Sequence, residues 1–153
     1  MINIKEQYEY LFRKYGESVF RVIYFYCKNI SDSEDVLQNT FLKLYISDVE
    51  FESEKHVKNW IYKIAINEAI NVSKSKWRKF QSLEDNYARE YQSEPELYEC
   101  IMKLSKKYRI VIILYYYEGY GIKEIAELLN RKESTVQTQI HRARKKLKNF
   151  MEE

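Results

Sequence analysis

Residues Ser134 to Lys148 read STVQTQIHRARKKLK, with hydroxyls and amides first and cations after them. Ser134, Thr135, Gln137, Thr138 and His141 carry hydrogen-bonding groups of the size that reaches base edges in a DNA major groove. Arg142, Arg144, Lys145 and their basic neighbours suit backbone phosphates. Within the same stretch Val136, Ile140, Ala143 and Leu147 recur at spacings of four, three and four. That is one helical stripe, so the polar and basic groups fall on the opposite face.

A helix of this kind needs a second element to hold it. Ile122, Ile125, Ala126 and Leu129 form a short amphipathic face just before it. Gly121 is an acceptable N-cap with Glu124 three residues on, and Asn130 is suited to a left-handed C-cap. Small Ala126 and Ala143 let two helices approach closely. A short helix, a tight turn and a longer basic helix make a helix-turn-helix.

The remainder of the chain is also helical in pattern. It has 153 residues, three Gly and one Pro, which leaves little turn chemistry for a sheet. An opening helix is expected over roughly 3–29. Ser31 to Glu34, SDSE, reads as a capping box that starts a helix running to Ile46, with Val36, Leu37, Thr40, Phe41, Leu44 and Tyr45 on its apolar face. A third helix is expected over 55–79, with Trp60 read as core. Periodicity lapses over residues 81–95, which are acidic and end at Pro95, and helices over 96–104 and 106–118 follow, with Gly119 as a C-cap. The fold class expected is all-α: two small helical domains, 1–80 and 96–153, joined by an acidic linker, 81–95. The second is a four-helix domain with the helix-turn-helix.

Net charge is only +3, but it is unevenly placed. Residues 31–54 hold seven acids and one base; residues 55–80 hold seven bases and one acid. Residues 81–100 hold six acids and one base, and residues 131–148 again seven bases and one acid. Two basic segments separated by acidic ones imply two nucleic-acid contacts. No nucleophile–base pair, phosphate-cradling Gly loop or metal-ligand cluster is legible, so no catalytic residue, metal or cofactor is expected. Cys27 and Cys100 lie far apart and read as thiols of a reducing compartment. The longest apolar run, IVIILYYY, is too short to cross a bilayer, and the first ten residues do not form a signal peptide. Cytoplasmic placement is the expectation.

The stretch YYYEGYGIKEIAELLNRKESTVQTQIHRARKKLK resembles the promoter-reading C-terminal domain of bacterial RNA polymerase sigma factors, in the two-domain extracytoplasmic-function group. Glu118-Gly119, Glu124-Ile125-Ala126, Leu129, Thr135-Val136 and Arg142-Ala143-Arg144 carry the likeness. DSEDVLQNTFLKLY, Asp32 to Tyr45, is similar to the acidic-aromatic helix by which that family docks on the largest polymerase subunit. The resemblance implies core-polymerase contacts by Asp35, Val36, Leu37, Gln38, Phe41 and Leu44, and an acidic edge suits a basic protein partner and repels DNA. NWIYKIAINEAIN, Asn59 to Asn71, resembles the helix that captures the melted −10 element. Lys63, Lys74 and Arg78 would hold phosphates there while Asn67 and Asn71 read unstacked bases. Ser134, Thr135, Gln137, Thr138, His141, Arg142, Arg144 and Lys145 would then contact the −35 element. Gln137 and Gln139 stand where relatives usually carry basic residues, Lys132 where a capping Ser is common, and Asn71 where an Asp is usual. The partners implied are core RNA polymerase, promoter DNA and the anti-sigma factor that restrains many relatives. A conventional helix-turn-helix regulator that never touches polymerase is the alternative, and a helical adaptor without DNA activity is a second.

Overall fold

The computed structural model describes residues 1–74 and 95–152, which fall into two compact units divided between Phe80 and Gln81. Among the described residues the structure is helical, with a single isolated bridge, Ile2 to Phe51, in place of any strand.

The first unit is three helices: α1 (Ile4–Cys27), α2 (Ile30–Ile46) and α3 (Glu54–Ser73). Each starts on a polar cap. Asn3 Oδ1 accepts from Glu6 N at 3.3 Å, Asn29 Oδ1 from Asp32 N at 2.8 Å, and Ser53 Oγ from His56 N at 3.1 Å. The α2 start differs from the one read in SDSE: Asn29, not Ser31, is the N-cap. Asn caps as well as Ser does, and the earlier start leaves Ser33 buried with its hydroxyl donating to Asn29 O at 2.6 Å. Lys28 ends α1 in the left-handed region at φ 57°.

All three helices pack on one another. Leu11, Val19, Ile23 and Phe25 of α1, Val36, Phe41 and Leu44 of α2, and Val57, Ile61, Tyr62 and Ile66 of α3 form the core. Burying each such side chain stabilises the unit by about 1.5–3 kcal/mol. Trp60, read from sequence as core, is half-buried with its edge against Phe51. The loop between α2 and α3 is held by that buried Phe51, whose carbonyl accepts from Ile2 N at 2.9 Å.

The second unit comprises α4 (Pro95–Lys103), α5 (Lys106–Ile112) continuing as a π-helical turn (Ile113–Tyr117), α6 (Ile122–Leu129) and α7 (Glu133–Met151). Gly119 at φ 73° closes the π turn, as a C-cap glycine should. Gly121 N donates to Glu124 Oε1 at 3.2 Å at the start of α6. Asn130 at φ 54° ends it, and Arg131 N donates to Ala126 O at 2.9 Å. Arg109, nearly fully buried, donates from Nη1 to Leu104 O at 2.7 Å and fixes the corner between α4 and α5. Ile110 to Leu114, Ile125, Val136, Ile140 and Ala143 complete the core.

One polar cluster ties α1 to α3. Lys14 Nζ lies 2.5 Å and the Tyr15 hydroxyl 2.6 Å from Glu54 Oε2. Hydrogen bonds from Lys14 first, and then from the tyrosines, hold the Glu54 carboxyl down at about 2, against an ordinary 4.5. A carboxylate with a depressed folded pKa adds stability above its unfolded value and loses it as the pH falls toward the folded one. Stability of the folded chain should therefore fall between about pH 4.5 and about pH 2, and Glu54→Gln should flatten that part of the profile. Parallel pH profiles for the variant and the parent would remove Glu54 from this role.

Candidate nucleic-acid and protein-docking interfaces

The exposed face of α7 is set by its buried one. Val136, Ile140 and Ala143 are fixed against the rest of the unit, so Ser134, Thr135, Gln137, Thr138, His141, Arg142, Arg144 and Lys145 are all exposed. Seven of these eight stand clear. Arg144 is the exception: its Nε donates to the Tyr116 hydroxyl, and its guanidinium lies 5.2 Å from the Tyr116 ring and 5.9 Å from that of Tyr115. It lines an apolar cavity of about 510 Å³ with Leu147, Met151 and Ile101, on the flank of α7 away from Ser134 and Arg142. Two residues apart on a helix means about 200° of rotation, so Arg142 and Arg144 cannot serve one face. Arg144 thus sits at the other edge of the exposed arc from Arg142, engaged by Tyr115 and Tyr116.

Gln139, half-buried, is held differently from Gln137. Its Oε1 accepts from Arg131 Nη1 at 2.8 Å, and the same nitrogen lies 3.3 Å from Lys107 O. The turn residue thus ties α7 to α5.

On α3 the four described candidates share one face. Lys63, Asn67, Asn71 and Lys74 follow at four, four and three residues and all are exposed, forming one stripe opposite Val57, Ile61 and Ala65. Arg78 and Trp77 lie outside the described residues, as does most of the linker over 81–95. Glu68 is the one acid of the basic segment 55–80, and it pairs with Lys43, the one base of the acidic segment 31–54. Each minority charge is cancelled by the other across α2 and α3, and the two segments keep opposite signs.

The docking ridge read on α2 needs the largest correction. Val36 is 1% exposed, Phe41 1% and Leu44 0%; they are core residues, and of the three only Phe41 reaches the wall of a surface depression. Leu37 is half-buried, while Asp35 and Gln38 are exposed. The outward apolar groups are others: Leu42 at 56% exposure, Tyr45 and, from α1, Phe12. With Tyr8, Gln38 and the edge of Phe41 they line a shallow apolar depression of about 390 Å³. The Tyr8 ring meets Tyr45 edge-on at 5.1 Å and Phe12 meets Phe41 at 4.9 Å. Gln38, Leu42 and Tyr45 sit at helical spacing of four and three, a signal present in the sequence but masked by the stronger apolar stripe beside it.

Among the described residues no group of His, Cys, Asp or Glu is placed to hold a metal, and no helix is long and apolar enough to cross a membrane.

Two profiles of one family cover most of the chain: "Sigma-70 region 2" matches residues 11–79 and "Sigma-70, region 4" residues 95–147. The extracytoplasmic-function sigma factor SigX of Bacillus subtilis is 28% identical over 97% of this chain and 86% of its own length. SigW of the same organism is 27% identical over 88% and 83%. Two solved structures share the fold. CnrH, in complex with the cytosolic domain of CnrY, gives a TM-score of 0.73 at 22% identity over 97% of this chain and 89% of that one. The sigma factor RpoE of Bartonella quintana, in complex with the anti-sigma factor NepR, gives 0.69 at 21% over 92% and 95%. A helix-turn-helix unit behind a three-helix unit defines a two-region transcription protein. The chain belongs to the sigma-70 family of RNA polymerase sigma factors, in its extracytoplasmic-function group.

Core and surface residues of α2 should separate in denaturant unfolding. Phe41→Ala should lower stability by about 3–5 kcal/mol, since it empties a packed site. Leu42→Ala should stay within about 0.5 kcal/mol. Equal, small losses for the two would place Phe41 outside the core.

Proposed function

We infer that this chain is an initiation factor, not a catalyst: it binds core RNA polymerase and directs it to promoters through −10 and −35 contacts. The observation that carries this is the separation of surfaces. The outward face of α2 presents Asp35, Gln38, Leu42 and Tyr45, an acidic-apolar surface suited to protein. The stripes on α3 and α7 present amides, hydroxyls and cations suited to nucleic acid. A regulator that bound duplex DNA alone would have no use for the first surface.

In mechanism, the first unit anchors on the polymerase through that face of α2 and the neighbouring Tyr8 and Phe12. Lys63 and Lys74 hold phosphates of the melted −10 strand, while Asn67 and Asn71 offer amides to unstacked bases. Arg78 joins them by resemblance. In the second unit α7 enters the −35 major groove, where Ser134, Gln137 and Thr138 face base edges and Arg142 and Lys145 grip phosphates. His141 lies between the two sets and contributes a further donor. Such work belongs where polymerase and chromosome are, in the cytoplasm. The likeness to a sigma factor solved with its anti-sigma factor supports a restraining partner of that kind for this chain.

Run-off transcription with purified core polymerase and fragmented genomic DNA tests the reading directly. Added protein should yield promoter-specific transcripts, and Asp35→Lys should abolish them together with capture of core enzyme. Duplex binding by the parent chain with no capture of core enzyme would favour the conventional regulator. No transcript from any fragment would favour the adaptor. Within the −35 contact, Arg142→Ala should weaken binding to all sequences, whereas Gln137→Ala should shift base preference, each by on the order of 1–3 kcal/mol. If Gln137→Ala weakened promoter and random duplex equally, its role as a reader would be lost.

A further inference from the structure

We propose that the notch between α5 and α7 is a seat for one backbone phosphate of duplex DNA, and that Lys107, outside the helix-turn-helix, supplies one of its two cations. The proposal rests on the promoter-binding reading of the second unit and adds a contact that the recognition helix alone does not contain.

The notch has a volume of about 300 Å³ and is polar. Lys107 enters it from α5; Ser134, Thr135, Thr138, Gln139 and Arg142 enter from α7. Two cations, three hydroxyls and an amide face it, and no carboxylate lines it. That set matches an anion, because every member can donate a hydrogen bond and two carry full positive charge. Gln139 contributes as a donor for a structural reason: its Oε1 is occupied by Arg131 at 2.8 Å, so its NH₂ is the end left for a ligand. Arg131 also anchors on Lys107 O at 3.3 Å, which holds the two walls together.

The notch floor is Tyr108, a buried ring with the Lys107 ammonium 5.0 Å and the Lys146 ammonium 5.7 Å from its centroid. A ring face holding two ammonium groups lets them gather without a carboxylate partner. Their charge therefore stays available to an incoming anion instead of being spent inside the protein. An isolated surface lysine would be free to point anywhere; this one lies over the Tyr108 ring and lines the notch together with Ser134 and Thr138. Because the notch opens beside the base-reading face of α7, a phosphate in it fixes how deeply that helix enters the groove. The contact positions, and the bases beside it specify.

The test measures the affinity of the full chain for a labelled random-sequence duplex across a series of salt concentrations. Each phosphate contact contributes about 0.9 to the slope of log affinity against log salt. Lys107→Gln and Arg142→Gln should each remove part of that contribution, the double variant should lose about 0.9 in all, and Lys107→Arg should keep the parent slope. An unchanged slope for Lys107→Gln beside a reduced one for Arg142→Gln would overturn the seat and leave the promoter reading standing. A loss with Lys107→Arg equal to that with Lys107→Gln would also overturn it, since charge would not be what matters. Absence of any duplex binding by the parent chain would remove both.

Discussion

The packing of α2 between α1 and α3 is the constraint from which the functional surfaces of the first unit follow. A helix has one circumference, and the core takes its share of it first. Val36, Thr40, Phe41 and Leu44 are taken up in this way, so only the complementary arc through Asp35, Gln38, Leu42 and Tyr45 remains for a partner. The same constraint on α3 leaves the arc through Lys63, Asn67, Asn71 and Lys74. On α7 it leaves the arc from Gln137 to Arg142. The surfaces proposed for function lie on what the two cores do not use.

Charge follows the same division. The pairing of Lys43 with Glu68 is a partly exposed ion pair, and such pairs add little stability. Its consequence is electrostatic sorting: it cancels the one base of the acidic segment against the one acid of the basic segment. An acidic surface and a basic one can then lie on adjacent helices without neutralising each other. In the second unit the tyrosines play a related part. Tyr108 gathers Lys107 and Lys146, while Tyr115 and Tyr116 hold Arg144 on the opposite flank. Aromatic faces arrange cations there without consuming their charge.

The helix-turn-helix was legible almost to the residue, because its signals are local. Asn130 adopts the left-handed cap its side chain tolerates, and Gly119 the positive φ that only glycine takes without strain. Val136, Ile140 and Ala143 lie in the core, as their spacing requires. The α2 ridge was half legible. Its apolar stripe was visible, but the stripe was assigned both to the core and to a partner, and periodicity cannot tell which apolar arc turns inward when two adjoin. Resemblance singled out the helix; burial showed which of its residues are exposed.

By itself the sequence determined the helical periods, the capping chemistry, the alternation of charged segments and the family, since each is carried by neighbours along the chain. Tertiary structure alone decided that Asn29 begins α2, that Leu42 and Tyr45 replace Phe41 and Leu44 as outward groups, and that Arg144 turns away from Arg142. It also decided that Lys107 and Thr138, on different helices, line one notch. The choice between Leu42 and Phe41 and the notch of Lys107 and Thr138 depend on residues far apart in sequence, which packing brings together and no local spacing encodes.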